Sequence, residues 1–113
     1  MSVVSHLING ELVESQRTLD VTNPSTGKVV RQVADASAAD VERAIAAAQA
    51  AFPAWRDTPP AKRAQVMYRF KQLLEEHADR LVQLVSEEHG KTVEDAMGEL
   101  KRGIENVEYA CGV

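Results

Sequence analysis

The chain has 113 residues, 44% apolar and 27% charged, a balance that suits one modest core and limits the chain to one domain or part of one. A formal net charge of −4, a pI near 5.3 and dispersed lysines and arginines exclude a nucleic-acid surface. A single cysteine, Cys111, excludes an internal disulfide. The start Met1-Ser2-Val3-Val4-Ser5 lacks the basic and apolar regions of a secretion signal, and no apolar run approaches the roughly 20 residues that cross a bilayer. A soluble protein of the reducing cytoplasm, with neither a nucleic-acid nor a membrane partner, is expected.

The first elements are short strands. His6-Leu7-Ile8 and Glu11-Leu12-Val13 flank Asn9-Gly10, whose two residues both tolerate positive φ and so predict a tight hairpin. A second hairpin follows, Leu19-Asp20-Val21-Thr22 and Lys28-Val29-Val30-Arg31-Gln32-Val33, joined by Asn23-Pro24-Ser25-Thr26-Gly27. Four strands of this length cannot enclose a core, so they are expected to pack on helices or on the sheet of another chain.

From position 36 the periodicity becomes helical. Ser37 with Asp40 three residues later reads as a capping-box variant, and Val41, Ile45, Ala48 and Phe52 form one stripe of a helix that Pro53 should end. Thr58 before Pro59 marks the next start, with Val66, Met67, Phe70, Leu73 and Leu74 on the core face. The pattern slips at His77-Ala78-Asp79, which predicts a break or kink before a shorter helix that carries Leu81, Val82, Leu84 and Val85 and stops at Gly90. Thr92 and Asp95 cap the last helix. The predicted fold is therefore α+β: two N-terminal hairpins over residues 1–35, then about four helices over 36–113.

The last helix carries the most chemistry. At about 100° per residue, Val93, Ala96, Leu100, Ile104, Val107 and Cys111 share one side, and Arg102 lies about opposite, in line with Gly98, Glu105 and Tyr109. Gly98 and Gly103 each cost a helix roughly 1 kcal/mol against alanine, so a close neighbour is expected at that face. Residue chemistry offers two readings of Arg102: a solvated arginine paired with Glu99, Glu105 or Asn106, or a guanidinium kept for a ligand.

Other reactive types are dispersed. Cys111 lies on the apolar stripe with no base nearby and reads as a buried inert thiol. His6, His77 and His89 lack the spacing of a metal site, and the neighbouring pairs Glu75-Glu76 and Glu87-Glu88 point to different sides of a helix. Gly90-Lys91-Thr92 ends like a phosphate-binding loop, but position 85 is Val85 where that loop needs glycine, and no Gly-x-Gly-x-x-Gly occurs. No catalytic or metal-ligating set is assigned.

Five stretches resemble the N-terminus of aldehyde dehydrogenases: Ile8–Ser15, Asn23–Gly27, Ala51–Trp55, Glu88–Thr92 and Gly98–Cys111. Asn-Pro-x-Thr-Gly and Glu-x-Gly-Lys are shared across that superfamily. The run Gly-Glu-x-x-Arg-Gly-Ile-Glu-x-Val-Glu-x-Ala resembles one branch, the CoA-acylating methylmalonate-semialdehyde dehydrogenases. His89 stands where Thr, Asn or Gln is often found.

The resemblance implies the front part of the α/β NAD-binding half of the fold, from an enzyme that oxidises a methylmalonate or malonate semialdehyde with NAD and passes the acyl group to coenzyme A. It also implies that the nucleophilic cysteine and the NAD-contacting residues lie C-terminal to position 113. The segment alone is then expected to be inactive and to bind no cofactor, and the full-length form to be a homo-oligomer, a tetramer. In that branch the arginine matching Arg102 helps hold the substrate carboxylate. Some members bind a monovalent cation near the positions matching Thr22 and Glu99. An alternative from another class is an independent helical interaction module that binds a protein through Gly98, Arg102 and Tyr109.

Overall fold

The computed structural model describes residues 2–113. They form five strands, β1 (Val3–Val4), β2 (His6–Ile8), β3 (Glu11–Val13), β4 (Thr18–Asn23) and β5 (Lys28–Ala34), followed by four helices, α1 (Ala38–Asp57), α2 (Pro60–Glu76), α3 (Ala78–His89) and α4 (Val93–Ala110). Their contacts group them into two units, the first ending at Asp57 and the second spanning Thr58–Val113. All strands lie before residue 35, and α1 belongs with them.

In the first unit the two predicted hairpins form. Asn9 (φ 53°) and Gly10 (φ 78°) both take positive φ, the backbone of a type I′ turn, and this sets the β2–β3 register with Leu7 opposite Leu12. The β4–β5 turn is closed by Gly27, at φ 69°, whose N–H donates to the Asn23 carbonyl at 2.8 Å, while the Asn23 side chain accepts from Ser25 N–H at 2.9 Å. A bulge interrupts the β4–β5 ladder between Val21 and Thr22.

A fifth strand was not expected. β1 adds in parallel to the free edge of β5, giving the order β1-β5-β4, and Gln32 N–H donates to the Ser2 carbonyl at 3.0 Å. Two residues carry no alternation that a sequence pattern could register. β5 becomes the central strand and ends at the buried Ala34. The hairpin β2–β3 stays a separate sheet that touches α1 through β2, with His6, Leu7 and Ile8 facing Ala36, Asp40, Val41 and Ala44 across a hollow of about 210 Å³.

α1 departs from expectation twice. It begins as predicted, with Ser37 Oγ accepting from Asp40 N–H, but Pro53 does not end it, and the helix runs on to Asp57. An interior proline removes one backbone bond without preventing helical φ. Arg56 stacks over the Phe52 ring at 5.8 Å, a contact one turn apart that spans the proline. The stop comes at Thr58, because the residue before a proline is pushed out of the helical region. The stripe Val41, Ile45 and Phe52 is exposed, as is Trp55, so apart from the edge that faces β2 the expected core face of α1 stays open within the first unit among the described residues.

In the second unit Pro59 (φ −53°, ψ 140°) caps α2 and Pro60 takes the first helical position, one residue later than Thr58-Pro59 implied. The Pro59 carbonyl accepts from Lys62 and Arg63. His77 (φ −105°, ψ 16°) makes the predicted break between α2 and α3, and Gly90 (φ 83°) ends α3 in the left-handed region. α4 packs against both α2 and α3, with Ala96 at 0% and Val82 at 3% exposure and Cys111 also buried. Leu100, Ile104 and Val107 turn inward with them. Val66, Phe70 and Val93 do not join this core and are exposed. Their stripes are wider than a three-helix unit can cover.

Candidate functional site

α4 sets the geometry of the face that carries Arg102. Thr92 Oγ1 accepts from Asp95 N–H at 3.2 Å and its carbonyl from Ala96 N–H at 3.0 Å, fixing the first turn as predicted. Between the left-handed Gly90 and this cap stands Lys91, whose carbonyl accepts from the Ser86 hydroxyl at 2.8 Å. With its backbone pinned on both sides, the Lys91 side chain runs along α4, four-fifths covered, and its ammonium donates to Glu99 Oε2.

That bond dominates the electrostatics of Glu99. The hydrogen bond from Lys91, then the lysine's charge, hold the Glu99 carboxyl below the usual carboxylate range; His89 and Arg102 add smaller contributions and partial desolvation opposes them.

Arg102 follows Glu99 by three residues, yet its guanidinium forms no ion pair with Glu99, Glu105 or any other acid among the described residues. The partner expected in Asn106 is present only through the backbone: Asn106 Nδ2 donates to the Arg102 carbonyl at 2.9 Å. The guanidinium instead lies back over Gly98, where a Cβ would sit 3.5 Å from Nη1. At Gly103 a Cβ would meet nothing within 4 Å, so the close neighbour expected at that glycine is not supplied by the described residues. Tyr109 and Glu105 are exposed on the same line. The arrangement is an open face on which the Arg102 guanidinium, a planar donor group of the kind that pairs with carboxylates, is engaged by no described acid.

The remaining residues hold no chemistry of this kind. Cys111 is buried, with Sγ 3.3 Å from the Val107 carbonyl. Glu75 pairs with Lys71 at 3.0 Å, and Glu76 accepts from Gln72 at 2.8 Å. Gly90-Lys91-Thr92 is a helix stop followed by a helix cap, not a phosphate loop. No group of three His, Cys, Asp or Glu able to hold a metal occurs among the described residues, and no helix is long and apolar enough to cross a membrane. Thr22 lies at the β4 bulge in the first unit, whereas Glu99 belongs to the second and is engaged by Lys91. The Lys91–Glu99 pair escaped sequence reasoning, because its spacing of eight matches no helical or strand rule and depends on the path of the link at Gly90.

Residues 12–113 match the sequence profile of the aldehyde dehydrogenase family. The chain belongs to that family. Among aldehyde dehydrogenases it is 64% identical to a malonate-semialdehyde dehydrogenase of Pseudomonas aeruginosa over 98% of its own length and 22% of that protein's. It is 42% identical to the rat mitochondrial methylmalonate-semialdehyde/malonate-semialdehyde dehydrogenase (acylating), covering 97% of this chain and 21% of the relative. The crystal structure of a methylmalonate-semialdehyde dehydrogenase from Oceanimonas doudoroffii superposes with a TM-score of 0.94 at 61% identity, over 99% of this chain and 23% of that one. A Sinorhizobium meliloti protein assigned to the same activity and solved with NAD gives 0.93 at 41% identity, over 99% of this chain and 23% of that one. The chain thus spans a little under a quarter of the length of these aldehyde dehydrogenases, at their N-terminal end, and its strands and helices are the corresponding part of their fold.

Proposed function

We propose that this segment is the N-terminal part of an NAD-dependent malonate- or methylmalonate-semialdehyde dehydrogenase in which Arg102 grips the carboxylate of the semialdehyde. The observation that carries the reading is the 64% identity to a malonate-semialdehyde dehydrogenase along almost the whole segment. The guanidinium of Arg102, unpaired with any described acid and resting on a glycine, supports the role given to it. A planar guanidinium meets a carboxylate with two parallel charge-assisted hydrogen bonds, which both anchors and orients the substrate.

NAD supplies the hydride acceptor in such an enzyme. The residues of this segment contribute to substrate binding through Arg102 and to the scaffold. Coenzyme A as acyl acceptor is supported by the rat and Arabidopsis thaliana relatives, whose names specify acylating enzymes. The test is an assay of the full-length protein that carries this segment: NADH formation from malonate semialdehyde, with acyl-CoA as product when coenzyme A is present. Absence of semialdehyde oxidation, or a free acid as sole product in the presence of coenzyme A, would refute the activity or the acceptor respectively.

A further inference from the structure

We infer that Lys91 is a positioning residue for substrate binding: by occupying Glu99 it keeps the Arg102 guanidinium open to the carboxylate of the substrate. The inference rests on the reading of Arg102 as the carboxylate anchor. Glu99 and Arg102 stand three residues apart on α4, the spacing at which an acid and a guanidinium on one helix meet. They do not pair. Glu99 is taken from the other side by Lys91, which lies outside the helix and approaches from the link between Gly90 and Thr92.

Three features make Lys91 the partner that wins. Its backbone is held by the left-handed Gly90 and by the Ser86 hydroxyl on its carbonyl, so the side chain starts from a fixed origin. Its stem is four-fifths covered and has little other freedom. Arg102, by contrast, has the vacant space over Gly98 to occupy, which a larger residue at position 98 would reduce. The charge of Arg102 makes a small contribution to holding the Glu99 carboxyl low, in keeping with the three-residue spacing of the two groups on α4. Among the groups that face Glu99, only His89 adds a further charge.

Without Lys91 the carboxylate of Glu99 has two fates. It swings to Arg102 and blocks the anchor, or it remains an uncompensated negative charge beside the site where an anion must bind. Both weaken binding of an anionic semialdehyde. Neither acts on an aldehyde that lacks the carboxylate. With its Glu99 end about half open to solvent, the Lys91–Glu99 contact is screened and adds little to stability, so its effect is expected in KM rather than in the melting of the protein.

The test measures KM and kcat for malonate semialdehyde and for propanal in the full-length dehydrogenase carrying Lys91→Met, Lys91→Arg, Glu99→Gln, the Lys91→Met/Glu99→Gln pair and, as reference, Arg102→Leu. Lys91→Met should raise the ratio of semialdehyde KM to propanal KM roughly two- to fivefold, the range of exposed charge pairs. Lys91→Arg, and removal of the competitor in the double variant, should restore the ratio. An unchanged ratio in Lys91→Met, or a double variant as impaired as Lys91→Met, overturns the proposal. Should Lys91→Met yield no folded enzyme, Glu99→Gln decides: an unchanged or lowered ratio supports it, and a raised ratio overturns it. Equal losses on both substrates in Arg102→Leu would instead defeat the anchor role itself, which separates the two failures.

Discussion

Ser37 and Asp40 exchange hydrogen bonds at the start of α1: the serine hydroxyl accepts from Asp40 N–H at 3.1 Å, and the aspartate carboxylate accepts from Ser37 N–H at 2.9 Å. Both ends of the exchange are also joined by the serine hydroxyl donating to the same carboxylate at 2.7 Å. Two backbone donors that the first turn of a helix leaves open are thereby satisfied.

The acid dependence follows in sign. The bond from the Ser37 backbone and then that from its hydroxyl hold the Asp40 carboxyl below its ordinary range. A carboxyl whose folded value is depressed stabilises the fold above the ordinary aspartate value of about 3.9, and that contribution is lost as pH falls through the lowered folded value. Carboxyl-detected NMR titration should therefore place the Asp40 midpoint below that of an unperturbed aspartate, and Ser37→Ala should move it back up. Removal of the serine cap should also lower the stability of the segment by about 1 kcal/mol in a urea melt.

Arg102→Leu in the full-length enzyme should reduce kcat/KM for malonate or methylmalonate semialdehyde roughly ten- to a hundredfold, the size of a lost charge-assisted contact, and should reduce it far less for propanal. Steady-state kinetics on both substrates provides the check. Parallel losses would mean that the arginine serves the helix and not the ligand.

Gly103 offers a contrast between segment and enzyme. With open space where a Cβ would project, Gly103→Ala should stabilise the isolated segment by about 0.5–1 kcal/mol through helix propensity alone. If the rest of the enzyme packs against this face, the same substitution should destabilise the full-length protein. Melts of the two forms, each with and without the substitution, would reveal the change of sign.

The uncovered apolar residues predict the behaviour of the segment expressed alone. Leu7 and Leu12 form a cross-strand pair at 72% and 77% exposure, and the α1 stripe of Val41, Ile45 and Phe52 is open as well. Self-association or marginal stability should result, seen as a concentration-dependent sedimentation coefficient and melting temperature. A monomer that melts cooperatively above about 65 °C at every concentration would contradict this.

What could be read from the sequence was the chemistry that a residue performs on its own neighbours. Asn9-Gly10, Ser37 with Asp40, Gly90 and Thr92 all act on backbone within four positions, and each was legible for that reason. Where the outcome depended on a partner remote in sequence, legibility failed. β1 needed the edge of β5, and the exposure of Val41, Ile45, Val66 and Phe70 followed from which helices found a neighbour. Pro53 was misread because a proline is a strong local signal whose effect a continuing helix can absorb. At the candidate site, Arg102 stood out through its place on α4 and the motif around it, but the link that sends Lys91 to Glu99 has no pattern of its own.

The proline inside α1 also divides the molecule spectroscopically. Trp55 is the sole tryptophan, and it lies in the final turn of α1, two residues beyond Pro53, whose missing N–H removes the helical bond to the Gln49 carbonyl in the turn before. Its emission therefore reports the fraying of that turn and the fate of the first unit, while the helices of the second unit carry no tryptophan to announce their unfolding. A fluorescence melt follows the first unit alone, whereas a far-ultraviolet circular dichroism melt follows all four helices, so agreement between the two would be evidence of coupling rather than an assumption of the experiment.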